Sequence, residues 1–178
     1  MRPTRVQSII GADDIQVAAR DYDVDVTFAE RTYEAEKRIS AVAESLSGIQ
    51  GYLAIGMLDQ EGRYLLKNDG SHGWALPSVA VTDGEDWDEA ADDFITSLGC
   101  NEESEIAVKR IRRKEFYRQQ RQKFFELHEV VVSVRVKQKS VVSDANTDDN
   151  VRLDWHDSMP EPNGEEYENI SDDLKLFI

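Results

Sequence analysis

The chain has 178 residues, 40% of them hydrophobic, and a formal net charge of −15 from 36 acids against 21 bases. That length and apolar content give one domain a real core and exclude wholesale disorder. The acidic surface repels nucleic-acid backbones and anionic lipid, no apolar run approaches a membrane span, and the single cysteine, Cys100, excludes an internal disulfide and a cysteine-rich metal site.

Residues 1–14 lack the long apolar core of a signal peptide, which predicts a soluble, cytoplasmic protein. Val6, Ile9 and Ile10 suit either a short strand or packing onto a neighbour. Val24 and Val26 alternate with Asp23 and Asp25, which predicts a short, half-exposed strand. Thr27-Phe28-Ala29-Glu30 fits a capping box, and Phe28, Thr32, Ala35, Ile39, Val42 and Leu46 recur at helical spacing. The pattern predicts one amphipathic helix from about Phe28 to Leu46, stopping near Gly48.

Gly51 to Leu58 reads as a nearly continuous apolar strand, Asp59 to Gly62 as a turn, and Arg63 to Lys67 as the returning strand. A polar loop then leads to a strand from Trp74 to Val81, in which Pro77 demands an edge, an end or a bulge. A turn at Asp83-Gly84 opens a second helix near Glu85 or Asp86. Trp87, Ala90, Ala91, Phe94, Ile95 and Leu98 fall on one face of it; Glu85, Glu89, Asp92 and Thr96 fall on the other, with Asp93 at the border. Gly99 sits where a glycine closes a helix.

Glu105 to Tyr117 and Phe124 to Val136 are two long β-prone runs that predict an antiparallel hairpin. Ser143 to Asn150 is an acidic loop, Val151 to Trp155 a last strand, and Ser171 a cap for a short helix ending at Ile178. The hairpin also holds a basic island that includes Lys109, Arg110, Arg112, Arg113, Lys114, Arg118, Arg121 and Lys123. Arg110, Arg112 and Lys114 alternate and so share a strand face. They fit a phosphate contact, charge compensation against the chain's own acidic helices, or a subunit contact. His72, His128 and His156 have no zinc spacing and read as surface or strand polar residues.

The order of elements predicts an α+β fold, a mixed sheet with helices on its faces. Within it, Gly73 to Cys100 resembles the Nudix box. The matching pieces are Trp74, Leu76-Pro77, Val81, Gly84-Glu85, Glu89-Ala90-Ala91 and Gly99; the apolar strand before the box and Leu153-Asp154-Trp155 followed by Met159-Pro160 add to the likeness. The resemblance implies a Nudix-like mixed β-sheet sandwiched by helices over residues 51–178, with residues 1–50 as an N-terminal helical extension. It implies a hydrolase that cleaves the pyrophosphate of a nucleoside diphosphate linked to another group. Mg²⁺ or Mn²⁺ would neutralise phosphate oxygens and activate water there. Hard divalent ions take carboxylate oxygens converging from one helical face. Carried onto this chain, Glu85, Glu89, Asp92 and Asp93 are the candidate metal ligands, with Glu85 and Asp93 as the catalytic pair. Arg110, Arg112, Lys114 and Trp74 are the candidates for holding substrate.

The chain also departs from the family's pattern. Ser78-Val79 stands where the family has Gly-Gly. Counted from Glu85, the Arg-Glu and Glu-Glu pairs fall on Asp93-Phe94 and Ser97-Leu98; counted back from Gly99, on Asp92-Asp93 and Thr96-Ser97. In either register the paired glutamates are gone. A catalytically silent Nudix-fold module that binds a nucleotide or a protein is therefore the alternative expectation. Assembly through the basic hairpin against an acidic partner is a third, and a homodimer is a further expected partner. Acid spread along the whole chain is similar to the composition of salt-loving archaeal cytosolic proteins.

Overall fold

The computed structural model describes residues 6–68, 70, 73–99, 106–136, 151–158 and 176–177. Helices α1 (Val6–Ile10) and α2 (Ile15–Arg20) lead into β1 (Asp25–Tyr33) and α3 (Glu36–Ser45). Strands β2 (Ile49–Leu58), β3 (Tyr64–Asn68), β4 (Trp74–Ala75) and β5 (Ser78–Thr82) precede α4 (Trp87–Ser97). Strands β6 (Ile106–Arg118), β7 (Gln122–Arg135) and β8 (Arg152–His156) follow. The fold is α+β around one mixed sheet of order β1-β6-β7-β2-β3-β4, with β5 added on β2 and β8 on β3.

The helix expected from Phe28 to Leu46 does not form as one element. Its first part is β1, which pairs in parallel with β6 from Asp25↔Arg110 to Tyr33↔Arg118. Val26, Thr27, Phe28, Thr32 and Tyr33 are β-branched or aromatic and suit a pleated surface. Nine residues of pairing outweigh a local capping box, whose advantage is about 1 kcal/mol. Only the later part of the helical pattern survives: α3 buries Ile39 and starts from Ala35, which has no side-chain cap. Residues 6–48 thus hold three helices and β1, where one helix after a short strand was expected. Val6, Ile9, Ala19 and Val24 belong to the same core as the central strands, and a boundary between residues 50 and 51 falls inside β2.

Elsewhere the elements lie close to their expected places. The hairpin is β6 and β7, joined through a 3-10 turn at Gln119–Arg121. The strand expected from Trp74 to Val81 splits at Leu76-Pro77. Pro77 has no N–H to give a ladder, and its carbonyl accepts from Ile55 N at 2.9 Å. There the chain changes partner, from β3 for β4 to β2 for β5. The acidic loop at Ser143–Asn150 lies outside the described residues, as does all of the C-terminal helix expected from Asp172 except a turn at Leu176 and Phe177.

Alternation sorts the sheet into two faces. On one, Leu53, Ile55 and Met57 of β2 join Val130, Val132 and Val134 of β7 and Ile111 of β6. Trp87, Ala90, Ala91, Ile95 and Leu98 of α4 cover them together with Val6 and Ile9 of α1. On the other face a separate cluster gathers Leu66, Leu76 and Val131, with Trp74, Leu176 and Phe177 packed against it. Among the described residues no helix is long and apolar enough to cross a membrane.

Candidate functional site

The turn between β5 and α4 is built as the sequence predicts. Gly84 has φ of +81°, a conformation other residues adopt at a cost. Asp86 caps α4: its Oδ1 accepts from Asp88 N at 2.9 Å and Glu89 N at 3.1 Å. Gln50 braces the turn. Its Nε2 donates to the carbonyls of Thr82 and Glu85, both at 2.7 Å, and its Oε1 accepts from the indole of the fully buried Trp87 at 3.1 Å.

Three acids of this region, Glu85, Asp86 and Asp88, are engaged in structure. Glu85 Oε1 turns back to accept from Thr82 N at 3.2 Å. Asp88 reaches the first turn of α1, its Oδ1 accepting from Val6 N at 2.9 Å and its Oδ2 from Gln7 N at 3.2 Å. Gln7 answers by accepting from Trp87 N at 3.1 Å. The result is a clasp between α1 and the start of α4. Glu89 and Asp93 are exposed, and Asp92 is half-buried. Among the described residues no three His, Cys, Asp or Glu side chains converge as metal ligands.

The clasp has a measurable consequence. Hydrogen bonds to a charged acceptor contribute about 2 kcal/mol, so Asp88→Ala is expected to lower stability by about 2 kcal/mol. Hydrogen exchange at residues 6–10 should accelerate, while Asp88→Asn keeps part of the protection. Unchanged exchange in Asp88→Ala would show that α1 is held by Val6 and Ile9 alone.

The candidate substrate residues lie across the sheet from α4. Ile111 and Val130 are register partners under α4, so Arg110, Arg112 and Lys114, at alternate positions on β6, point away from it. Trp74 sits at the β3–β4 edge against the Leu66 cluster, its ring 4.5 Å from that of His156. From β6 to β4 is four strand steps, about 19 Å across a flat sheet, so Trp74 and Arg112 do not form one pocket.

The basic island is met by acids of the strands. Arg110 Nε lies 2.9 Å from Asp25, Arg112 2.8 Å and Lys114 3.4 Å from Glu129, and Arg121 3.6 Å from Glu30. Arg113 and Lys123 both bond Glu126, at 2.9 and 2.7 Å. Burial alone would raise the Glu126 carboxyl; hydrogen bonds from Lys123 and Arg113 outweigh it and hold the group below its ordinary range.

The sequence reading missed a cleft of about 480 Å³ between the α1–α2 turn and the face of β1, β6 and β7. Its floor is a row of register partners, Phe28↔Arg113↔His128. Burial, opposed by Glu126 and assisted by Arg113, keeps the His128 imidazole below its ordinary pKa. Its Nε2 is buried without a hydrogen-bond partner. The signal for the cleft was Val24-Asp25-Val26 running on into β-prone residues, which places Phe28 in a strand beside β6.

No family model matches the chain, and no curated protein matches it. Solved structures do match. One is a mutant of the Bacillus subtilis pyrophosphohydrolase BsRppH, at 15% sequence identity and a TM-score of 0.35 over 65% of this chain. The chain spans 66% of the length of that protein. At such values the pyrophosphohydrolase activity stays with that enzyme.

Proposed function

We propose that the chain is a catalytically silent module of Nudix-like fold that binds a small molecule or a protein rather than hydrolysing a nucleotide. The observation that carries this reading is how the acids around α4 are used. Glu85 closes its own turn, Asp86 caps the helix and Asp88 holds α1. A pyrophosphohydrolase needs several carboxylate oxygens converging on a hard divalent ion. The residues present do not fit Mg²⁺ or Mn²⁺: among the described residues no three His, Cys, Asp or Glu side chains, Glu85 included, converge on one point. The face turned away from α4 supports the same reading, because the cations expected to hold phosphate are paired with Asp25 and Glu129.

A Mn²⁺ titration followed by amide relaxation tests the proposal at the helix itself. In high salt, residues 84–97 should show no saturable broadening beyond that of other acidic surface segments. Saturable broadening centred on Glu85 to Asp93, abolished by Glu85→Gln, Glu89→Gln and Asp92→Asn together, would restore the metal site and with it the hydrolase reading.

A further inference from the structure

We infer that β1 is an interface with a second copy of this chain, the two β1 strands pairing antiparallel about a two-fold axis at Phe28. The inference uses no residue of α4, so it stands apart from the fate of the metal site.

The sheet ends differently at its two sides. Past β2 lie short strands, β4 of two residues and β5 and β8 of five each. Short edge strands give another chain little to pair with. At the opposite end is β1, nine residues long, whose strand neighbour among the described residues is β6. The register with β6 runs from Asp25 to Tyr33 without a shift, so no bulge twists this edge away, and no proline interrupts it. On a strand paired along one side, the N–H and C=O groups of alternate residues point outward as a template for another strand.

Exposed apolar side chains collect at the same place. Among the described residues the large hydrophobics most open to solvent are Val17, Tyr22 and Phe28, at 55%, 45% and 55%. They fall on α2, on the turn that leads into β1, and on β1 itself. A long edge strand carrying an exposed phenyl ring is a surface that proteins otherwise cover or blunt.

The order of residues in β1 selects the occupant. Residues opposite one another in an antiparallel ladder point to the same face, so a symmetric pair centres on one residue. Centred on Phe28, the pairing sets Asp25 opposite Arg31 of the second copy, twice by symmetry. Val26 then faces Glu30, Thr27 faces Ala29 and Phe28 faces Phe28. Opposite charges and aromatic pairs across strands stabilise a ladder. Arg31 is exposed and has no ion pair among the described residues. Asp25 is half exposed and uses Oδ2 on Arg110 at 2.9 Å, which leaves Oδ1 for a second cation. Other centres lose this match. Ala29 sets Phe28 against Glu30, Glu30 and Arg31 each meet their own charge, and Thr27 sends Arg31 to Asp23, outside the strand at φ of +56°. An unrelated extended peptide would answer the open ladder, but the self-complementary charge answers a second copy. One such edge per copy closes the assembly at two.

Each copy carries a net charge of −15, so association is measured on the full chain in about 1 M salt, where the Debye length is about 3 Å. A single strand pair makes a small, weak interface, so sedimentation equilibrium spans about 10 µM to about 1 mM. A monomer–dimer equilibrium is expected, with amide exchange at alternate residues of β1 slowing as concentration rises. Arg31→Glu should weaken the dimer about tenfold or more, while Arg31→Lys keeps it. Phe28→Lys and Phe28→Glu should each be folded and monomeric, because residue 28 meets its own copy; mixed in equal amounts, they should associate. A folded chain that stays monomeric throughout, a dimer indifferent to Arg31→Glu or Phe28→Lys, growth beyond two copies, or no association on mixing the two Phe28 variants would overturn the interface.

Discussion

Gly51→Ala is expected to lower stability by about 3 kcal/mol or more, seen as a large drop in the denaturation midpoint. A Cβ at Gly51 would stand 2.0 Å from the backbone oxygen of His128 and 2.7 Å from Cη2 of Trp87. Neither neighbour is free to yield. His128 is the register partner of Gly51 in the parallel β2–β7 ladder, which runs on to Leu58↔Arg135. Trp87 is fully buried, and its indole N–H is tied to Gln50 on β2. Relief therefore means opening the central ladder or expelling the residue that begins α4. Interiors pack too densely to absorb that overlap. A variant as stable as the parent would mean that Trp87 does not lie over Gly51, and the seat of α4 on the sheet would have to be redrawn.

Arg112→Ala should cost about 3 kcal/mol. Arg112 is only 6% exposed, and its guanidinium is 2.8 Å from Glu129. Removing it leaves a half-buried carboxylate with Lys114 at the longer distance of 3.4 Å. Breaking a buried pair is costly because one charge stays behind without its solvent. Replacing both partners together, as Arg112→Met with Glu129→Leu, should recover most of the loss. This pair of measurements also decides between two roles. A structural Arg112 shows a large single-variant cost and a small double-variant cost. An Arg112 poised for phosphate shows little cost in either, and Arg112→Ala would then lower anion binding instead.

Much of the fold was legible because its signals were local. Gly84, Asp86 and the spacing of Trp87, Ala90, Ala91, Ile95 and Leu98 define α4 without reference to the rest of the chain. The hairpin from Ile106 to Arg135 is two long β-prone runs joined by a short polar link. What failed was nonlocal. Thr27 to Glu30 satisfies a helix cap in isolation, and only the β6 edge turns the same residues into a strand. Losing β1 hid the cleft as well, because Phe28 meets Arg113 and His128 only in parallel register.

The candidate site was legible in composition and not in direction. Sequence spacing puts Glu85, Glu89 and Asp92 on one side of a helix, and the structure keeps them outside its buried stripe. It does not reveal that Glu85 folds back to Thr82 N or that Asp88 is spent on α1. Alternation correctly groups Arg110, Arg112 and Lys114 on one face. Which face that is depends on Ile111 lying under α4, a fact set by the whole sheet.

The most direct measurement is metal-dependent release of mononucleotide from ADP-ribose and dinucleoside polyphosphates, in high salt with Mg²⁺ or Mn²⁺. A silent module predicts no turnover above the metal-only background from folded protein, and no change on combining Glu85→Gln, Glu89→Gln and Asp92→Asn. Turnover with either metal that disappears in that triple variant would contradict the account and make the face of α4 a working hydrolytic centre.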